Sequence, residues 1–135
     1  MKLIRFQDVS GKIYYGEQVN DHLARIISGD IFENYTVTNS VVPIRKLLAS
    51  VEPKTILCIG LNYRQHAEET GAKIPEYPVL FIKAANALNN PGDPIVIPKV
   101  APGQVDYECE LAVVIGKAAK NVSRGAALGY VLGYT

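Results

Sequence analysis

The sequence predicts a mainly β, α+β chain, with a small N-terminal β domain over residues 1–51 and a second β-rich part over 52–135. Short runs of β-branched, aliphatic and aromatic residues recur along it, bounded by Gly, Pro, Asn and Asp. Helix signals are confined to two short stretches. Between the two parts stands Glu52-Pro53, where proline disfavours a helical conformation in the preceding residue and marks the expected boundary.

Taken in order, Lys2-Leu-Ile-Arg-Phe6 and Ile13-Tyr-Tyr15 flank the turn-rich Asp8-Val-Ser-Gly11 and read as a β-hairpin. Thr36 to Val42 adds a further strand. Ile44 to Ala49, beside Pro43, reads as a short helical or turn-like segment. Thr55-Ile-Leu-Cys-Ile59 is short, apolar and bounded by Pro53 and Gly60, the pattern of a buried strand. Gly60 then turns the chain. Asn62 is placed as an N-cap with Gln65 in the capping-box position, and Gly71 is placed to end the short helix that follows. Asn89 to Pro102 is dense in Pro, Gly and Asn around Ile95-Val-Ile97, as expected of a loop bordering a site. The apolar run Leu111 to Ile115 predicts a strand that begins in the acidic stretch before it.

Composition narrows the function classes. The chain has 135 residues, 48% hydrophobic and 20% charged, which describes a globular protein. Lys and Arg number 14 against 13 Asp and Glu, and the net charge of +1 gives no electrostatic reason to expect nucleic acid or an anionic membrane as partner. No stretch approaches the ~20 apolar residues of a membrane span, and Met1 to Asp8 lacks the apolar segment of a signal peptide, so a cytoplasmic location is expected. Cys58 and Cys109 fall in strand-like runs, where a lone thiol behaves as a small hydrophobe, and they make no disulfide framework. No internal repeat, phosphate loop or GxGxxG is present; Gly116-Lys117 lacks the upstream glycine and the following Ser or Thr.

Two clusters carry chemistry. In Asp106-Tyr-Glu108-Cys-Glu110, a strand would project Glu108 and Glu110 from one face, about 7 Å apart along the chain. Paired carboxylates repel unless one keeps its proton or a cation sits between them, which points to a divalent metal. The alternative is an acidic strand entrance that only solvates an edge. In the predicted helix His66 and Glu69 stand at i and i+3 on one face, where the carboxylate can orient the imidazole as a general base. The alternative there is a solvent-facing histidine on a polar helix.

These residues together resemble the fumarylacetoacetate hydrolase family. The resemblance is carried by Gly60-Leu-Asn-Tyr-Arg-Gln-His66-Ala-Glu-Glu69, then Pro78-Val-Leu-Phe-Ile-Lys83, then Gly92-Asp-Pro-Ile-Val-Ile-Pro98, then Asp106 to Lys117, in matching order and spacing. It covers nearly the whole chain and is most specific from Ile56 onward. It implies that residues 52–135 are the first part of a mixed β-roll catalytic domain, following a small N-terminal domain. By resemblance Glu108 and Glu110 bind Mg²⁺ or Mn²⁺, a choice that hard oxygen donors also favour. His66 and Glu69 become the catalytic pair, and Lys83 a contact to substrate or to a neighbouring carboxylate. The implied activity is a metal-dependent hydrolase or isomerase of small oxo-acids, of acylpyruvate or hydroxy-dienedioate type, acting as a homodimer through enolate chemistry.

One departure stands against this. The family's third metal-binding carboxylate follows a Gly-Tyr-Thr stretch, and here Gly133-Tyr-Thr135 is where the sequence stops. The chain thus resembles the N-terminal half of a member, and the other expectation is a catalytically silent fragment or assembly element of such an enzyme.

Overall fold

In the computed structural model, which describes residues 1–135, the chain is mainly β with a single six-residue α-helix. Its contacts divide it into two compact units, Met1–Ser50 with Asn90–Thr135, and Val51–Asn89.

The first unit is built on a five-stranded antiparallel sheet. Strands β1 (Leu3–Gln7), β2 (Ile13–Gln18), β3 (Leu23–Gly29) and β4 (Tyr35–Pro43) follow one another as a meander, and β5 (Lys46–Leu48) returns to the free side of β1, giving the order β4-β3-β2-β1-β5. The expected hairpin is present in the register Leu3↔Glu17 to Gln7↔Ile13. Its turn is held by Asp8, whose carboxylate accepts from the backbone N–H of Ser10 and Lys12 and from the Ser10 hydroxyl. Strand alternation puts Ile4 and Phe6 on one face, and with Ala24 they form the buried core. Tyr14, Val42, Ile44 and Leu47 pack around it. The expected strand at 36–42 is β4. β3 carries no comparable local signal.

The segment Ile44 to Ala49 differs from expectation. Its centre is a strand, because Lys46, Leu47 and Leu48 pair with Gln7, Phe6 and Arg5, and Leu47 gains the core as neighbour. Burial and ladder hydrogen bonds outweigh a weak local turn preference. The loop after Asn89 belongs to the same unit. Lys46 Nζ meets Asp93 at 2.7 Å, Asn90 Nδ2 donates to Asp93 Oδ2 at 2.9 Å, and Asn90 Oδ1 accepts from the Ala49 N–H at 3.0 Å.

A small ladder of β8 (Val113–Ile115) and β9 (Val131–Tyr134) pairs antiparallel, with Ala112 and Thr135 exchanging both backbone bonds just outside it. The strand expected from the acidic stretch begins only there. Residues 104–111 join no ladder, and Cys109 has φ +51°, which breaks the two-residue alternation between Glu108 and Glu110. Those carboxylates are therefore not on one face of a strand. A strand needs a bonded neighbour for its backbone groups, and the ladder with β9 starts at Ala112. Cys109 is accordingly exposed rather than packed in an apolar run.

In the second unit β6 (Ile56–Gly60) and β7 (Val79–Lys83) form a two-stranded antiparallel sheet in the register Ile56↔Lys83 to Gly60↔Val79, so the expected strand is present but is not the buried one its apolar run predicts: in so small a sheet Leu57 and Ile59 stay exposed. Between them lies α1 (Arg64–Glu69). No helix of the chain is long and apolar enough to cross a membrane.

Candidate active site

The second unit holds His66, Glu69 and Lys83. Helix α1 exists where expected, but its start is different: the N-cap residue is Tyr63, extended at φ −106° and ψ 121°, and no side chain caps the helix. Asn62 and Gln65 thus do not form the predicted capping box. The reversal from β6 is made at Leu61, with φ +52°, rather than at Gly60, which stays in the ladder opposite Val79.

The other end follows the sequence. Gly71, at φ +65°, donates its N–H to Glu68 O at 3.1 Å and Ala72 donates to Ala67 O at 2.9 Å, the paired bonds of a Schellman stop. The Thr70 hydroxyl adds a bond to the carbonyl of His66 at 2.9 Å. Ala67 is fully buried and turns the helix to one side, so that His66 and Glu69 are both exposed and share a face.

Lys83 ends β7 opposite Ile56, and its ammonium lies 6.0 Å from the Phe81 ring centroid. An open cavity of about 250 Å³ is lined by the reversal residues Ile59 to Asn62 and by Ile74, Pro75, Glu76 and Pro78 of the return segment. Leu61, Asn62 and Glu76 line it although no sequence signal assigns them there; only the fold brings the two connections together.

Glu108 and Glu110 belong to the first unit, both exposed in the irregular segment before β8. Their oxygen donors fit a hard divalent ion in type. In number they fall short, since no group of three or more His, Cys, Asp or Glu side chains able to hold a metal is assembled.

Residues 55–135 match the family model described as the C-terminal domain of fumarylacetoacetate hydrolase. The chain is 52% identical over 101 residues to a fumarylacetoacetate hydrolase domain-containing protein 2 homolog of Dictyostelium discoideum, covering 73% of this chain and 33% of that one. It is 48% identical over 106 residues to the caffeoylpyruvate hydrolase of Neonothopanus nambi, covering 73% and 37%. Among solved structures, the 2-hydroxyhepta-2,4-diene-1,7-dioate isomerase of Mycobacterium marinum superposes with a TM-score of 0.78 at 29% identity, over 99% of this chain and 52% of that one. The chain spans about half, or less, of the length of these relatives. With the family match running through α1, β7, the acidic segment and β9, the chain belongs to the fumarylacetoacetate hydrolase family.

Proposed function

We propose that these residues carry the first part of the catalytic domain of a cytoplasmic, metal-dependent hydrolase or isomerase of small oxo-acids, of acylpyruvate or hydroxy-dienedioate type, working as a homodimer. In this reading residues 1–51 are a small N-terminal β domain, and 52–135 open a mixed β-roll. The single observation that carries it is the family match over 55–135, a span that includes His66, Glu69, Lys83, Glu108 and Glu110. The names of the caffeoylpyruvate hydrolase and the dienedioate isomerase support the substrate class.

The roles follow from chemistry and position. His66, exposed on α1, takes a proton from water in a hydrolase or moves one between carbons in an isomerase. Glu69, one turn on, holds the imidazole in orientation and favours its cationic form after the transfer. Lys83 supplies a positive charge for the substrate's carboxylate. Glu108 and Glu110 are the residues that would hold Mg²⁺ or Mn²⁺. Such an ion supplies Lewis-acid polarisation of the carbonyl and balances enolate charge.

A second reading, a catalytically silent assembly element, is favoured by the exposed apolar side chains of the β6–β7 sheet. Leu57, Leu80 and Ile82 are 61%, 62% and 67% exposed, a surface that a folded partner or further chain would cover. Thermal melting with added Mg²⁺ or Mn²⁺ separates the two. The enzyme reading expects the midpoint to rise at millimolar ion or below, the stabilisation reaching about 2.7 kcal/mol at a hundredfold excess over Kd. It also expects the rise to vanish when Glu108 and Glu110 are both changed to Gln. An unmoved midpoint removes the metal site from this chain.

A further inference from the structure

We propose that Leu61 is a positioning residue: held in the left-handed backbone region with its side chain on the cavity wall, it sets the path by which α1 leaves β6 and so where His66 and Glu69 stand. This rests on the catalytic reading of His66 and Glu69 for its functional meaning.

The chain has three non-glycine residues at positive φ: Leu61, Cys109 and Asn121. Asn is among the residues that tolerate this region, whereas Leu pays steric strain there. The strain is avoidable in composition, since a glycine stands directly before it. Gly60 has room for a side chain, because an added Cβ would meet its nearest neighbours at 3.6 Å, an ordinary contact. The glycine nevertheless stays in the ladder, and Leu61 makes the turn.

A leucine kept in a strained conformation needs surroundings that determine it. The residue is half-buried and lines the cavity with Ile59, Ile74, Pro75 and Pro78. The helix depends on such an anchor. Six residues are too few to be stable as an isolated helix, where about 12 to 15 are needed in water. Its C-terminus has the Schellman bonds, but its N-terminus has no side-chain cap. Between Gly60 and Tyr63 the direction of entry therefore rests on the backbone at Leu61 and on what its side chain touches.

The test is amide hydrogen exchange on the chain together with the imidazole resonances of His66, for Leu61→Gly and for the conservative Leu61→Met. In the parent the Ala67 and Thr70 amides donate within the helix, to Tyr63 O at 3.2 Å and His66 O at 3.1 Å. Leu61→Gly removes both the side chain and the restriction on φ, and these two amides are expected to exchange about tenfold faster while those of β1 hold their rates. The His66 imidazole signals shift and broaden in the same variant. Leu61→Met keeps volume and apolar character and restores both readouts to near the parent values. Unchanged exchange and imidazole signals in Leu61→Gly overturn the proposal, as does a Leu61→Met as damaging as the glycine. Neither readout involves turnover or metal, so a His66 that proves dispensable for activity overturns the catalytic reading without touching this result.

Discussion

Phe6 is the largest fully buried side chain, and the glycine facing it makes a double substitution informative. Its ring stacks on Tyr14 with centroids 5.9 Å apart, and Gly16 on the neighbouring strand leaves the space it occupies. Phe6→Ala removes on the order of 200 Å² of buried apolar surface, which at about 25 cal/mol per Å² is roughly 5 kcal/mol as an upper bound. Core Phe→Ala changes cost about 3 to 5 kcal/mol, so about 4 kcal/mol is expected, a large share of a typical domain's stability. Gly16→Ala fails in the opposite sense. Its Cβ would stand 2.8 Å from Phe6 Cε1 and 2.7 Å from the Arg25 carbonyl, and overpacking of this kind costs about 1 to 3 kcal/mol. In the Phe6→Ala background the ring clash is gone, and the Arg25 carbonyl and the tight 3.2 Å approach to Ala24 Cβ remain. The double variant is therefore less damaged than the sum of the two, by about 1 kcal/mol. Urea unfolding followed by circular dichroism or tyrosine fluorescence reads this directly, since the chain has 8 Tyr and no Trp. Costs that add to within about 0.5 kcal/mol would refute the claim that Gly16 is small because of Phe6.

Asp93 receives hydrogen bonds from Lys46 and then Asn90, which hold its carboxyl below the ordinary 3.8, and a depressed carboxyl contributes stability that is present above the ordinary value and lost as pH falls through the folded one. Urea midpoints between pH 7 and pH 2 should show that acid loss shrinking in Asp93→Asn, and an unchanged acid limb counts against it. Gly71→Ala places a side chain at φ +65° and is expected to cost about 1 kcal/mol, felt locally in α1; faster exchange of the Thr70 amide with β1 unaffected is the sign to look for.

Much of the fold is visible in the residue pattern where the signal is local. The hairpin around Asp8–Gly11 and the Gly71 helix stop rest on interactions within a few residues, whereas the strands read at 36–42 and 55–59 show as runs of β-forming residues that β3 and β7 then pair. The failures share a cause. β3 and β5 are strands because of what they pair with: Leu47 joins the ladder opposite Phe6, and Leu23–Gly29 fills the place between β2 and β4. Asn62 has the right chemistry for a cap, yet the helix starts after Tyr63 because the reversal falls on Leu61.

The candidate site divides along the same line. His66 and Glu69 share a face because helical spacing alone puts i and i+3 together, and the donor chemistry of Glu108 and Glu110 is a property of the residue types. The sequence by itself thus determined the residue types, the helix that carries two of them, and the family. Only the tertiary structure decided that Cys109 breaks the alternation between the two glutamates and that Leu61, not Gly60, turns the chain. The physical reason is that backbone conformation between ordered elements answers to hydrogen-bond partners and packing distant in sequence, which no local pattern encodes.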